Sequence, residues 1–193
     1  EVRTAHEKAV NTVLAFVEKE LTGARITTAG NTQWVNTGNL AVNIDETSRN
    51  LLGNYPPLFV RLALDLMASR EASVLVPDAS GARRSASQGK LALDVLDRYG
   101  KLFPLIRYPV TPKLAGSVAT IYATEGAKQK AYPYIQYLEM LAGQFSAGEE
   151  PELYLTLAKA YRAAGKVREA DGIMNELKMA LPDLRKRLDS LKQ

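Results

Sequence analysis

Residues 151–184 carry the sequence feature that most constrains the fold, two helical patterns separated by a single glycine. The segment reads PELYLTLAKAYRAAGKVREADGIMNELKMALPDL, with apolar residues at three- and four-residue steps on both sides of Gly165. Such steps place side chains on one face of an α-helix, and glycine accepts the left-handed conformation that ends many helices. The segment therefore predicts two antiparallel helices joined by a tight turn.

The same pattern recurs towards the N-terminus. Ala92, Ala131 and Ala170 follow one another at equal intervals, each at the same place in a second helix. A small residue there lets the two helices of a pair approach closely. The first pair carries a long insertion between its helices, which we interpret as a loop over Pro77–Gln88. We expect three units, at about residues 56–105, 112–145 and 151–184, with a generic helical bundle as the alternative.

The most regular unit resembles the tetratricopeptide repeat. The matching positions are Tyr154, Leu157, Ala158, Tyr161, Gly165, Ala170, Met174, Leu177 and Pro182. The resemblance implies an all-α fold, a right-handed stack of antiparallel helix pairs. A last helix over Pro182–Leu191 is expected to cap this stack.

The N-terminal part differs in composition. Val2–Leu21 has helical periodicity, whereas residues 24–45 are rich in Asn, Thr and Gly. We interpret the latter as an irregular segment with a loose hairpin, because β-favouring runs occur at Arg25–Thr28 and Gln33–Asn36. Two domains are predicted, residues 1–55 packed on a helical domain of residues 56–193. Trp34 is expected to anchor the segment to the helices, with a ligand-stacking role as the alternative.

A second resemblance covers residues 43–145. It rests on NIDETSRNLLGNY (43–55), FVRLALDLM (59–67), KLALDVLDRYGKLFP (90–104), RYP (107–109) and VATIYATEGAKQKA (118–131). This series is similar to the soluble tail of multi-spanning bacterial membrane proteins related to protein O-mannosyltransferases. The resemblance implies a periplasmic or other extracytoplasmic domain attached to a membrane-embedded glycosyltransferase-like body, and a cytoplasmic location is the alternative. Glu1 lies inside a helical pattern, so we expect the chain to be a fragment.

Composition argues against several kinds of site. The chain has no cysteine and one histidine, His6, which excludes cysteine zinc sites and multi-histidine metal sites. Basic residues are scattered among acidic ones, which does not indicate nucleic-acid binding. No apolar run is long enough to span a bilayer, and no catalytic motif is recognised. We therefore expect no catalytic residue, cofactor or metal, and no enzyme activity in this chain alone.

These observations predict a non-catalytic interaction or scaffolding domain. Stacked helix pairs expose a groove lined by the first helix of each pair, which suits a protein or peptide partner. Either the domain is the tail of the membrane protein and contacts its membrane-embedded body, or it is a stand-alone adaptor. In the groove, Lys159 and Arg162 can bind a carboxylate or phosphate group. The candidate groove residues are Lys113, Thr120, Leu155, Lys159 and Arg162, with Val60 and Leu64 in the divergent unit.

Overall fold

The described part of the chain is predominantly helical. The structure, a computed structural model, describes the backbone of residues 25–28, 31–34, 55–77, 83–106 and 108–181. Its helices are α1 (Pro56–Met67), α2 (Gln88–Leu102), α3 (Pro112–Thr124), α4 (Lys128–Ala142), α5 (Pro151–Ala163) and α6 (Val167–Ala180). Its strands are β1 (Arg25–Thr28), β2 (Asn31–Trp34), β3 (Ser73–Pro77) and β4 (Arg83–Ser87). The chain divides into two compact units, residues 1–109 and 110–193.

Helices occur in each of the three units predicted at about residues 56–105, 112–145 and 151–184. The hairpin in the Asn-rich segment is also confirmed, since β1 pairs antiparallel with β2 and Arg25 lies opposite Trp34. Its second strand begins earlier than predicted, at Asn31. The predicted helices over Val2–Leu21 and Pro182–Leu191 lie outside the described residues.

An aromatic cluster forms the core of the first unit, where α1 packs on α2. The Phe103 ring lies 5.9 Å from Phe59, 6.2 Å from Tyr99 and 5.3 Å from Tyr108 between ring centroids. All four side chains are buried. Rings in stacked or edge-to-face contact at such distances stabilise one another beyond the area they bury. Phe103 therefore joins the end of α2 to both α1 and the segment that follows.

The loop predicted over Pro77–Gln88 is wrong. β3 pairs antiparallel with β4, with Val74 opposite Ala86, and α2 begins at Gln88. The β4 sequence, RRSAS, contains no β-branched or aromatic residue, so its strand propensity is low. Pairing with β3 and burial of Ala86 override that propensity. The backbone N–H of Gln88 also donates to the Ala72 carbonyl at 2.8 Å, which fixes the start of α2.

Two glycine turns of the same type join the helices of the second unit. Gly126 and Gly165 have φ of 79° and 80°, which confirms the tight turn predicted at Gly165. After α3, the Ala127 N–H donates to the Tyr122 carbonyl and the Gly126 N–H to the Ala123 carbonyl. The turn after α5 repeats both bonds one unit later. This double bond pattern is the Schellman motif, which satisfies carbonyls at the end of a helix.

We expect Gly126→Ala to lower the free energy of unfolding of the second unit by about 1–2 kcal/mol. A Cβ at this position meets no atom within 4 Å, so the cost is the left-handed backbone conformation alone. Gly126→Asn is the matched control, because asparagine tolerates this conformation better than alanine. Urea unfolding followed by circular dichroism measures both. Equal losses for the two variants would argue against a left-handed turn.

Small residues line the contacts between the helices of each pair. Ala119 and Ala131 are buried where α3 packs on α4, and Ala158 and Ala170 are buried where α5 packs on α6. Ala92 of the first unit is buried as well. The predicted role of the equally spaced alanines, close approach of paired helices, agrees with their burial.

A buried tyrosine fixes α5 to the end of α4. The Tyr154 hydroxyl contacts the carbonyl oxygens of Ala142 at 3.1 Å and Phe145 at 2.8 Å. Ala142 ends α4 and Phe145 follows it, and carbonyls at the end of a helix lack intrahelical partners. Pro133 lies inside α4, in the second turn from its start at Lys128.

Candidate binding face of the second unit

Helices α3 and α5 lie side by side at an unusually close contact. A Cβ on Gly116 of α3 would stand 2.1 Å from the Thr156 methyl carbon of α5, so no side chain larger than glycine's fits there without a shift. The Thr156 hydroxyl donates to the Glu152 carbonyl at 2.7 Å, which holds its methyl group against α3. This contact sets the spacing of the two helices whose outer residues were predicted to line a groove.

The predicted groove residues form two stripes along these helices. On α5, Leu155, Lys159 and Arg162 are four and three residues apart, and thus share one helical face. Leu155 is half-buried, whereas Lys159 and Arg162 are exposed. On α3, Lys113 is exposed and Thr120 is half-buried. We call the surface formed by these five residues the α3–α5 face.

The cationic side chains of the α3–α5 face differ in whether they form an ion pair. The Arg162 guanidinium binds the Asp171 carboxylate of α6 at 2.5 Å, and both side chains are more than half exposed. Lys113 and Lys159 take part in none of the ion pairs within the described ranges. The predicted pair of anion-binding groups, Lys159 and Arg162, therefore has one member already engaged. Lys113 and Lys159 are the two cations of the face that are open to a ligand.

The candidate binding residues of the first unit differ from one another in burial. Val60 is only 2% exposed and packs in the core of the first unit, so the prediction that it lines a groove is wrong. Leu64 is exposed, as a groove residue must be. Trp34 ends β2, and its side chain lies outside the described residues. Its predicted role as an anchor or ligand-stacking residue stays a prediction.

A cluster that the sequence did not reveal lies where α4 and α5 meet. The Tyr161 hydroxyl donates to Oε1 of Glu139 at 2.5 Å. The Lys166 ammonium lies 5.2 Å from the ring centroids of both Tyr132 and Tyr161. Burial, the bond to Glu139 and nearby negative charge raise the pKa of the Tyr161 phenol, which stays protonated at neutral pH. These residues come from α4, from α5 and from the turn before α6, so no local sequence motif predicts the cluster.

The comparison with protein families gives one match. Residues 1–53 match the model of the TrwC relaxase family. No curated protein and no solved structure matches the chain. The matched segment overlaps the resemblance over residues 43–145 only at residues 43–53.

The expectation that this chain has no enzyme activity is contradicted by this match. Relaxases are an enzyme family, and the matched segment contains His6, the single histidine of the chain. Composition could not reveal this, because the segment contains none of the short catalytic motifs on which the expectation rested. Of the matched residues, the structure describes only the backbone of β1 and β2.

Two further observations concern only the part of the chain that the structure describes. No helix there combines the length and the apolar character needed to cross a membrane. Nor does any group of three or more His, Asp or Glu side chains come together there as a metal site would require.

Proposed function

We propose that residues 110–181 form a tetratricopeptide-type interaction domain and that its α3–α5 face binds a segment of a protein partner. The observation that carries this proposal is the pair of open lysines, Lys113 and Lys159, on two helices held in close contact. Exposed cations on rigid neighbouring helices attract an anionic segment without a large ordering cost in the receptor.

The order of helix contacts supports the tetratricopeptide assignment. Helix α3 packs on α4 and α5 packs on α6, while α5 also contacts both α3 and α4. Each pair has the same glycine turn and a buried alanine at the same place in its second helix. Repetition of one supersecondary unit with contacts between neighbours is typical of solenoid proteins.

The chemistry of the α3–α5 face favours a peptide with carboxylate groups. Lys113 and Lys159 supply ammonium groups, and the half-buried Leu155 and Thr120 supply apolar and hydroxyl contacts. A surface ion pair contributes little by itself. Binding strength would therefore come mainly from apolar contacts at Leu155, and the lysines would contribute to orientation and association rate.

Charge reversal on the α3–α5 face tests this proposal. We expect Lys113→Glu/Lys159→Glu to lose about tenfold or more in affinity for a protein partner captured by the wild-type chain. Lys128→Glu/Arg168→Glu is the matched control, because it makes the same charge change at exposed positions of α4 and α6. Quantitative mass spectrometry compares the proteins captured by the wild-type chain with those captured by each of the two double variants. Equal loss in both double variants would assign the effect to net charge and contradict the proposal.

The same proposal extends to the setting of the domain. The resemblance over residues 43–145 supports an extracytoplasmic domain that contacts a membrane-embedded, glycosyltransferase-like body, with a stand-alone adaptor as the alternative. Protease accessibility in intact spheroplasts tests this location. Protection of the domain from added protease would favour the cytoplasmic alternative.

The family match favours a second candidate function for residues 1–53, a contribution to a relaxase-type activity on DNA. Relaxation of supercoiled DNA is the activity that the name of the family describes. Incubation of the chain with supercoiled plasmid, followed by gel electrophoresis, tests for conversion to the open circle. Absence of conversion by a folded chain, with and without a divalent cation, would contradict this candidate for the chain alone.

A further inference from the structure

The cluster at the end of α5 has the composition of a cation-binding site. Two tyrosine rings, from Tyr132 on α4 and Tyr161 on α5, lie at equal distances of 5.2 Å from the Lys166 ammonium. A cation within about 6 Å of an aromatic centroid is attracted by the negative face of the ring. Two carboxylates add negative charge near the rings, because Glu139 and Glu169 both act electrostatically on Tyr161.

The hydrogen bond to Glu139 strengthens the attraction of one ring. The Tyr161 hydroxyl donates to a carboxylate, a charge-assisted bond at 2.5 Å. Bonded groups polarise one another, so a phenol that donates to an anion carries more negative charge on its ring. Glu139 therefore acts on the cation through the Tyr161 ring, although it makes no ion pair with Lys166 among the described residues.

We propose that Tyr132, Tyr161 and Glu139 form a binding site for an alkylammonium group, and that Lys166 is an intramolecular occupant which an incoming cation displaces. The ligand class is a lysine side chain, methylated or not, or a quaternary ammonium compound. This site is distinct from the α3–α5 face, which carries cations and favours anions.

The setting of Lys166 makes its displacement feasible. Lys166 precedes α6 and is half-exposed, and its side chain makes no cap hydrogen bond to that helix. The Tyr132 side chain belongs to a residue that is 47% exposed, so one ring is open to solvent. A flexible lysine that is held by two rings alone can leave without breaking a hydrogen bond or ion pair that the structure shows.

Removal of the intramolecular cation provides the test. We expect Lys166→Ala to bind tetramethylammonium about five- to thirtyfold more tightly than the wild-type chain, the gain expected from two vacated ring faces. The readout is the chemical shift of the ring carbons of Tyr132 and Tyr161 in a ¹³C-tyrosine-labelled full chain. The neutral isostere tert-butanol serves as control ligand, and Tyr132→Leu in the Lys166→Ala background serves as control variant.

Each outcome decides for or against the site. Tighter binding of tetramethylammonium but not tert-butanol, lost in the Tyr132→Leu variant, supports it. No shift of the two tyrosines, equal shifts with tert-butanol, or shifts that persist without the Tyr132 ring would overturn it. Lys166→Gln carries the same expectation and replaces Lys166→Ala if circular dichroism shows the alanine variant to be unfolded.

Discussion

Phe103→Ala is expected to lower the free energy of unfolding of the first unit by about 3–5 kcal/mol, the usual cost of removing a buried phenylalanine. Phe103 is fully buried and contacts the rings of Phe59, Tyr99 and Tyr108. Its removal leaves a cavity that these large neighbours cannot fill without a shift of α1 relative to α2. Urea unfolding followed by far-ultraviolet circular dichroism gives the difference.

Phe145→Ala is the matched control for this substitution. It removes the same side chain from a residue that is 44% exposed, so little packing is lost. We expect a loss below about 1 kcal/mol. A loss for Phe103→Ala no larger than that of the control would contradict the aromatic cluster as the centre of the first unit.

Gly116→Ala has the second largest expected effect, a loss of about 1–3 kcal/mol in the free energy of unfolding of the second unit. The added methyl group would overlap the Thr156 methyl of α5. Thr156 cannot simply rotate away, since its hydroxyl is bonded to the Glu152 carbonyl. Relief requires α5 to move from α3, which disturbs the contact on which the α3–α5 face depends.

A compensating substitution separates this clash from other effects. Thr156→Ala removes the overlapping methyl group, so Gly116→Ala/Thr156→Ala should recover most of the stability that Gly116→Ala loses. Gly172→Ala on α6 is the control for helix propensity, because a Cβ there meets no atom within 4 Å. Gly172→Ala should raise the free energy of unfolding of the second unit by about 0.5–1 kcal/mol. Strictly additive effects of the two changes at 116 and 156 would contradict the close contact.

The helices and their turns could be predicted from the sequence because their signals are local. Gly165 adopts the left-handed conformation that its place after a helical pattern predicts, and Gly126 does the same one unit earlier. Ala131 and Ala170 are fully buried as their spacing indicated. The β4 strand could not be predicted, because RRSAS forms a strand only through its pairing with β3.

The candidate site was predicted in part. The exposed lysines of the α3–α5 face follow from the helical pattern, since residues off the apolar stripe face solvent. The engagement of Arg162 by Asp171 did not follow, because either residue could equally have faced water. The cation cluster was missed for a related reason, as Tyr132 and Tyr161 come together only when α5 packs on α4. The match of residues 1–53 to the TrwC relaxase model did not follow from any residue pattern in that segment.

Photo-cross-linking along the second unit tests the central claim most directly. A benzophenone side chain placed at Thr120 or Lys159 lies on the α3–α5 face, whereas one at Gln136 or Glu176 lies at exposed positions of α4 and α6. The account predicts that irradiation joins the same partner segment to positions 120 and 159 and leaves positions 136 and 176 unlabelled. Equal labelling at all four positions, or labelling confined to 136 and 176, would contradict it.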